Sequence, residues 1–244
     1  MNVAICLFHR DENSYLPEWL EHHRAVGIDH FYIYDNGSAV PPAAERDVTV
    51  VDFAHDQQVG KQMRAYHACH ERVRRRHDWI GFLDTDEFVV GDLRRLLARW
   101  RWSWISRVGQ VCLSTRVYGS NGLETRAARQ FGSYGNHWMP LQHVKSFVHC
   151  GRPLRAEPAD PHFFPCVGIT LDAAGARQPG PMCPHVDAPV VVDHYYTRSR
   201  AEWAEKCARG RGDGVGQRTA AEFDRFNQHV TAHCLKRDAT RKAC

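Results

Sequence analysis

Val3-Ala4-Ile5-Cys6-Leu7-Phe8 is an uninterrupted apolar run that stops at His9-Arg10-Asp11-Glu12. Such a run, with no polar alternation, reads as a strand buried on both faces, the pattern of a parallel sheet. Beyond it, Leu16, Trp19, Leu20 and His23 recur at helical spacing, with Ser14 placed to cap, Pro17 in the first turn and Gly27 where a helix stops. Ile28-Asp29-His30-Phe31-Tyr32-Ile33-Tyr34 then reads as a second strand closed by Asp35-Asn36-Gly37-Ser38, and Val48-Thr49-Val50-Val51-Asp52-Phe53 as a third. Helical periodicity returns from Gly60 to His77, with Met63, Tyr66, Cys69 and Val73 on one face, before a fourth strand, Trp79-Ile80-Gly81-Phe82-Leu83. Strands alternating with helices predict an α/β fold, a mostly parallel sheet with helices on both faces.

Ligands of such sheets sit beyond the carboxyl ends of the strands. Each strand here ends in polar residues: His9-Arg10-Asp11, Asp35-Asn36, His55-Asp56 and Asp84-Thr85-Asp86-Glu87. The polar ends are therefore expected to converge. After about residue 105 Gly and Pro become frequent and helical periodicity lapses until Ser199. Residues 111–118 and 190–196 read as strands, and 150–189 as mostly irregular. Ser199-Arg200-Ala201-Glu202 has capping-box spacing and opens a helix expected to end at Gly210. The organisation expected is one two-part domain over 1–244, with the strand–helix half to about 110. A smaller irregular or antiparallel part and C-terminal helices follow.

Composition narrows the class. The 244 residues carry 32 Lys+Arg against 28 Asp+Glu, a net charge of +4, with 43% hydrophobic and 25% charged residues. That is an ordinary globular composition, and it excludes wholesale disorder. No stretch approaches the roughly 18–20 apolar residues of a membrane span, and the N-terminus does not read as a secretory signal. The nine cysteines are odd in number and scattered, with no C-x-x-C, so reduced thiols and a cytoplasmic setting are expected. The slight basic excess favours anionic ligands without nucleic acid; Arg72-Val73-Arg74-Arg75-Arg76 reads as a solvated helix end, with anion or nucleic-acid binding as the alternative.

Asp84-Thr85-Asp86-Glu87-Phe88 stands directly behind the fourth strand. In an extended chain residues two apart share a side, so Asp84 and Asp86 can face one hard cation while Thr85 faces away. Two carboxylates suit Mg²⁺ or Mn²⁺, which leaves coordination positions for phosphate. The bare D-x-D pattern is also common in solvated acidic loops.

Four ordered segments carry a resemblance: Tyr15-Leu16-Pro17-Glu18-Trp19-Leu20-Glu21-His22-His23, Phe31-Tyr32-Ile33-Tyr34-Asp35-Asn36, Trp79-Ile80 through Asp84-Thr85-Asp86-Glu87-Phe88, and His194-Tyr195-Tyr196-Thr197-Arg198-Ser199. Over roughly residues 3–214 the chain resembles GT-A-fold glycosyltransferases of the family 92 and family 2-like group. The resemblance implies transfer of a sugar from a nucleotide-sugar donor, a UDP-sugar, to a glycan or other hydroxyl acceptor, with inversion and a divalent ion on the diphosphate. It implies Asp84, Asp86 and His194 as the metal residues. The alternative is a non-catalytic nucleotide-sugar or glycan-binding module on the same scaffold.

The charge of a departing diphosphate has to be held by a cation and basic side chains. Lys206 and Arg209 are candidates on one helix face; an i,i+4 pair of Lys206 with Glu202 is the plainer reading. For base and ribose the candidates are His9, Arg10, Glu12 and Asp35, although Asp35-Asn36-Gly37 is equally a turn. Lys61, Gln62 and Arg64 follow the third strand and can face phosphate or simply end a helix. Glu157, Asp160 and Asp187 are the general-base candidates, each also a loop residue near proline. Tyr118-Gly119-Ser120-Asn121-Gly122 reads as an acceptor loop or a turn, and Arg209-Gly210-Arg211-Gly212-Asp213-Gly214 as a phosphate-ordered flap or a helix end. Arg198 stands where the group often has lysine. Without an anchor, a bacterial-type enzyme working on cytoplasmic or membrane-presented acceptors is expected, with peripheral membrane contact as one option.

Overall fold

The structure is a computed structural model describing residues 1–55, 59–101, 107–135, 141–184, 188–211 and 216–228. The first half runs β1 (Val3–His9), α1 (Leu16–Val26), β2 (His30–Asp35), β3 (Val48–Asp52), α2 (Lys61–Val73), β4 (Trp79–Phe82), β5 (Glu87–Gly91) and α3 (Leu93–Ala98). The second half adds β6 (Val108–Leu113), β7 (Thr115–Val117), β8 (Leu141–His143), β9 (Lys145–His149), β10 (Ile169–Asp172), β11 (Met182–Pro184), β12 (Val190–His194) and α4 (Arg200–Arg209). Residues 220–228 are also helical.

The main sheet has seven strands in the order β10-β6-β9-β4-β1-β2-β3. β1 pairs in parallel with both β2 and β4, and β2 with β3. β9 alone runs antiparallel to its neighbours β4 and β6. The expected α/β sheet, mostly parallel, is therefore present. Strands from both halves complete it.

Period-two alternation explains its two faces. Val3, Ile5 and Leu7 pack with Leu16, Trp19 and Leu20 of α1 and Leu93, Leu96 and Leu97 of α3. Ala4, Cys6 and Phe8 pack on the other face with Ala65, Tyr66, Cys69 and Val73 of α2. α1 also carries a smaller sheet, β5-β12-β7. Trp19 Nε1 donates to the Glu87 carbonyl at 2.9 Å and His22 Nε2 bonds the Val89 carbonyl at 2.8 Å, which seats β5 on that helix.

Several local expectations change. The N-cap of α1 is Tyr15 with no side-chain cap bond, not Ser14, while Gly27 closes the helix in the left-handed region, φ 96°. α2 ends at Val73, and Arg72, Arg75 and Arg76 are exposed, as a solvated helix end would be. The stretch 105–199 is far more extended than read: β8 to β11 lie in it, and β9 is central to the main sheet. The capping box at Ser199 and Glu202 and the stop at Gly210 are as expected. The seven described cysteines are free thiols, and among the described residues no helix is long and apolar enough to cross a membrane.

Candidate functional site

From β1 the chain passes outward to β2 and β3, then returns to the other side of β1 as β4. The order reverses between β1 and β4, so a crevice opens beyond their carboxyl ends. A cavity of about 210 Å³ lies there, with Phe8, His9, Arg10 and Glu12 from the end of β1, Asn36 after β2, and Asp84 and Asp86 after β4. α2 supplies Gln62, the 161–162 loop Pro161 and His162, and the end of β12 His194 and Tyr196. Lys206, Arg209, Gly210, Arg211 and Arg218 close it from the C-terminal part.

Asp84-Thr85-Asp86-Glu87 is a turn, not the extended segment expected: Glu87 N–H donates to the Asp84 carbonyl at 3.1 Å. The alternation argument fails at this point because a reversing chain has no period of two. Asp84 and Asp86 still both reach the cleft, but the tightest ligand set joins Asp86 to its neighbour. One ligand atom each from Asp86, Glu87 and His194 lies within 4.8 Å of the others. His194 spans the pair, with Nε2 3.6 Å from Asp86 Oδ1 and Nδ1 3.6 Å from Glu87 Oε1. Thr85 does turn away, donating to Glu12 Oε2 at 2.7 Å.

Two buried lysines balance these carboxylates. Lys145 Nζ lies 2.8 Å from Glu87 Oε2 and 3.0 Å from Asp84 Oδ2. Lys206 Nζ donates to Asp86 Oδ2 and to the Tyr196 carbonyl, both at 2.6 Å. The plainer i,i+4 reading of Lys206 does not hold, because Glu202 is engaged by Ser199, Tyr15 and Tyr134. Burial alone would raise the Asp86 carboxyl, but Lys206 and His194 outweigh it and hold the group well below the usual carboxylate range. Burial pushes Glu87 up to about 7 in spite of Lys145. Its Oε1 is buried with no hydrogen-bond partner.

Glu12 anchors a second network. Its Oε1 accepts from Arg198 Nη1 at 3.1 Å and Arg209 Nη2 at 2.9 Å. Arg198 also donates to Thr85 Oγ1 at 3.2 Å and lies 3.7 Å over the Tyr15 ring. It adopts φ 55°, a left-handed value costly for a residue with a Cβ. These contacts hold the link between β12 and α4, and so place Lys206.

The remaining expected residues divide. His9, Arg10, Glu12, Lys206 and Arg209 line the cleft, as do Asp84, Asp86 and His194. His9 Nε2 bonds Asn13 Oδ1 at 2.9 Å while its Nδ1 is buried without a partner, and burial lowers its pKa. Asp35 accepts from Ser38 Oγ at 2.5 Å and N at 3.2 Å, so it builds the turn and Asn36 faces the cleft. Of the α2 trio only Gln62 lines the cavity; Arg64 donates to the Val59 carbonyl at 3.0 Å, and Lys61 stands outside the lining set. Glu157 is exposed away from the cleft. Asp160 holds its own turn by accepting from His162 N–H at 2.7 Å, next to the cleft-lining Pro161. Asp187 and Gly212-Asp213-Gly214 lie outside the described residues.

Glu87, Lys145 and Arg218 were given no role from the sequence, whereas Arg211 lies in the segment read there as a phosphate-ordered flap or a helix end. A lysine inside Val144-Lys145-Ser146-Phe147-Val148 is the one signal that pointed to a buried charge.

The fold is that of a doubly wound α/β protein, with carboxylates and basic side chains gathered in one cleft beyond its strand ends. Residues 2–97 match the family model Glycosyltransferase family 92, a span that holds the first three of the four resembling segments. The Ricinus communis family 92 protein RCOM_0530710 is 30% identical over 97 residues, 35% of this chain and 16% of that protein. The Oryza sativa subsp. japonica family 92 protein Os08g0121900 is 25% identical over 135 residues, 50% of this chain and 22% of that protein. The chain thus matches less than a quarter of the length of either relative. Among solved structures, S. aureus TarS 1-349 overlaps 52% of this chain and 39% of its own at 10% identity and a TM-score of 0.35, too little to bear on the fold.

Proposed function

We propose that the chain transfers a glycosyl group, with inversion, from a UDP-sugar to a hydroxyl of a glycan or similar acceptor. The observation that carries this is the cleft itself: the carboxylates of Asp84 and Asp86 and the cations Lys206, Arg209, Arg211 and Arg218 line one cavity at the switch point of a family 92-like segment. A carboxylate pair with an imidazole suits Mn²⁺ or Mg²⁺, and Glu87 Oε1, buried with no hydrogen-bond partner, fits the role of a cation ligand. Asp86, Glu87 and His194 would hold it, and when bound it supplies positive charge against the departing diphosphate.

The chain's own groups account for the rest. Lys206 and the arginines oppose charge on the leaving phosphates, in a site where water is partly excluded and each contact is strengthened. The Nε atoms of Arg211 and Arg218 are buried without hydrogen-bond partners, consistent with arginines awaiting an anion. Asn36, His9 and Phe8 form the end of the cleft offered to base and ribose. Asp160, beside Pro161 and His162, is the base candidate we carry forward for the acceptor hydroxyl. We place the reaction in the cytoplasm, on the scattered cysteine set, with peripheral contact to a membrane-presented acceptor.

The test is turnover of a UDP-sugar panel by the purified chain with Mn²⁺ and with chelator. Activity is expected only with the metal, and Asp86→Ala is expected to abolish it. Full activity in Asp86→Ala refutes the metal role. Saturable UDP binding without turnover on any acceptor establishes the binding-module alternative instead.

A further inference from the structure

β9 is the strand that runs against the sheet, and this delivers its first residue, Lys145, to the edge where β4 ends and the acidic turn begins. Lys145 is 1% exposed, lies outside the cleft lining, and touches Asp84 and Glu87 from beneath. It cannot reach a ligand in the cavity. Lys145 and Lys206 offset two of the turn's three carboxylates, leaving at most a single negative charge.

We infer that Lys145 is a positioning residue of an electrostatic kind: a built-in cation that weakens the site for a divalent ion alone, so that the ion is retained only together with an anionic diphosphate. The inference rests on the metal reading above. A divalent ion entering the cluster alone leaves it net positive, buried against a lysine, whereas ion and diphosphate together restore the balance. Charges this close in a partly buried site interact strongly. Binding of cation and nucleotide is therefore coupled, and by linkage each tightens the other by the same factor. Lys206 lines the cleft and contacts Asp86 directly, so it cannot separate charge from ligand contact. Lys145 can.

The experiment measures Mn²⁺ affinity of the full chain by electron paramagnetic resonance, without and with UDP, for wild type, Lys145→Met and Lys145→Arg. Wild type is expected to bind Mn²⁺ at least ten-fold more tightly with UDP present. Lys145→Met is expected to bind Mn²⁺ alone at least ten-fold more tightly than wild type, with most of the UDP enhancement gone, and Lys145→Arg to behave as wild type. A merely structural lysine would give the opposite sign, since its loss loosens the ligands. Unchanged or weaker Mn²⁺ binding by folded Lys145→Met overturns the inference and leaves the metal reading intact. No Mn²⁺ binding by wild type, with or without UDP, overturns that reading and this one with it. Lys145→Gln, which keeps a donor for the carboxylates, is the second variant and must show the same tightening; failure of both to fold assigns Lys145 a structural role and refutes the proposal.

Discussion

Asp86 and Lys206 are 120 residues apart in the chain, yet Lys206 Nζ sits 2.6 Å from Asp86 Oδ2, with both residues buried. The pair ties the turn behind β4 to the C-terminal helix α4. Removing one partner of a buried ion pair leaves the other charge uncompensated, which typically costs about 3–5 kcal/mol.

Lys206→Met is accordingly expected to lower stability by about 3 kcal/mol and donor kcat/KM by about 100-fold, the scale seen when a preorganised cationic contact is lost. Lys206→Arg should not restore activity, because Arg198 and Arg218 already crowd that position with charge. Denaturant unfolding and steady-state kinetics on both variants check this; wild-type kinetics in Lys206→Met would remove the residue from the site.

Arg198→Lys keeps the charge but not the fork that reaches Glu12 and Thr85 together, nor the face over Tyr15. A loss of about 2 kcal/mol is expected. It is read from urea midpoints, and an unchanged midpoint would show that the charge alone suffices.

Gly81 lies opposite Phe147 across β4 and β9, and a Cβ built there meets the Phe147 ring at 2.5 Å. The ring is fully buried and has nowhere to move. Gly81→Ala is expected to cost about 1–3 kcal/mol, visible as a lower melting temperature with the site residues unaltered.

His23 carries the clearest pH dependence. In its neutral form Nδ1 donates to the Trp19 carbonyl at 2.8 Å while Nε2 accepts from Val89 N–H at 3.3 Å, and burial pushes its pKa down to about 3. The folded pKa lies below the unfolded value of 6.5, so protonation favours unfolding. This contribution is complete above about pH 6.5 and is lost as the pH falls toward 3, reaching about 4 kcal/mol. His23→Gln should flatten the fall in unfolding free energy between pH 6.5 and 4.5; an equally steep fall would place the sensitive group elsewhere.

Much of the first half of the fold was legible because β1, β2 and β4 are buried along almost their whole length and α1 and α2 carry a single apolar stripe, whereas β5 and α3 were not read from the sequence. Val3–Phe8, the helix ending at Gly27 and the capping box at Ser199 each state their structure locally. β9 was missed because Lys145 and Ser146 break the apolar run that marks a buried strand. The turn at Asp84–Glu87 was missed because carboxylates behind a strand read the same whether the chain continues or reverses. Asp35 shows the reverse case: both readings were visible, and the hydrogen bonds of Ser38 decide for the turn.

Alternation of apolar runs and helical stripes determined, by itself, that polar strand ends would gather at one edge of a parallel sheet, because side-chain period and burial are local properties of the chain. Tertiary structure alone decided which charges meet there. Glu87 joins Asp86 and His194, and two lysines from β9 and α4 offset the carboxylates, because pairing between distant segments depends on strand order and direction, which no local window encodes.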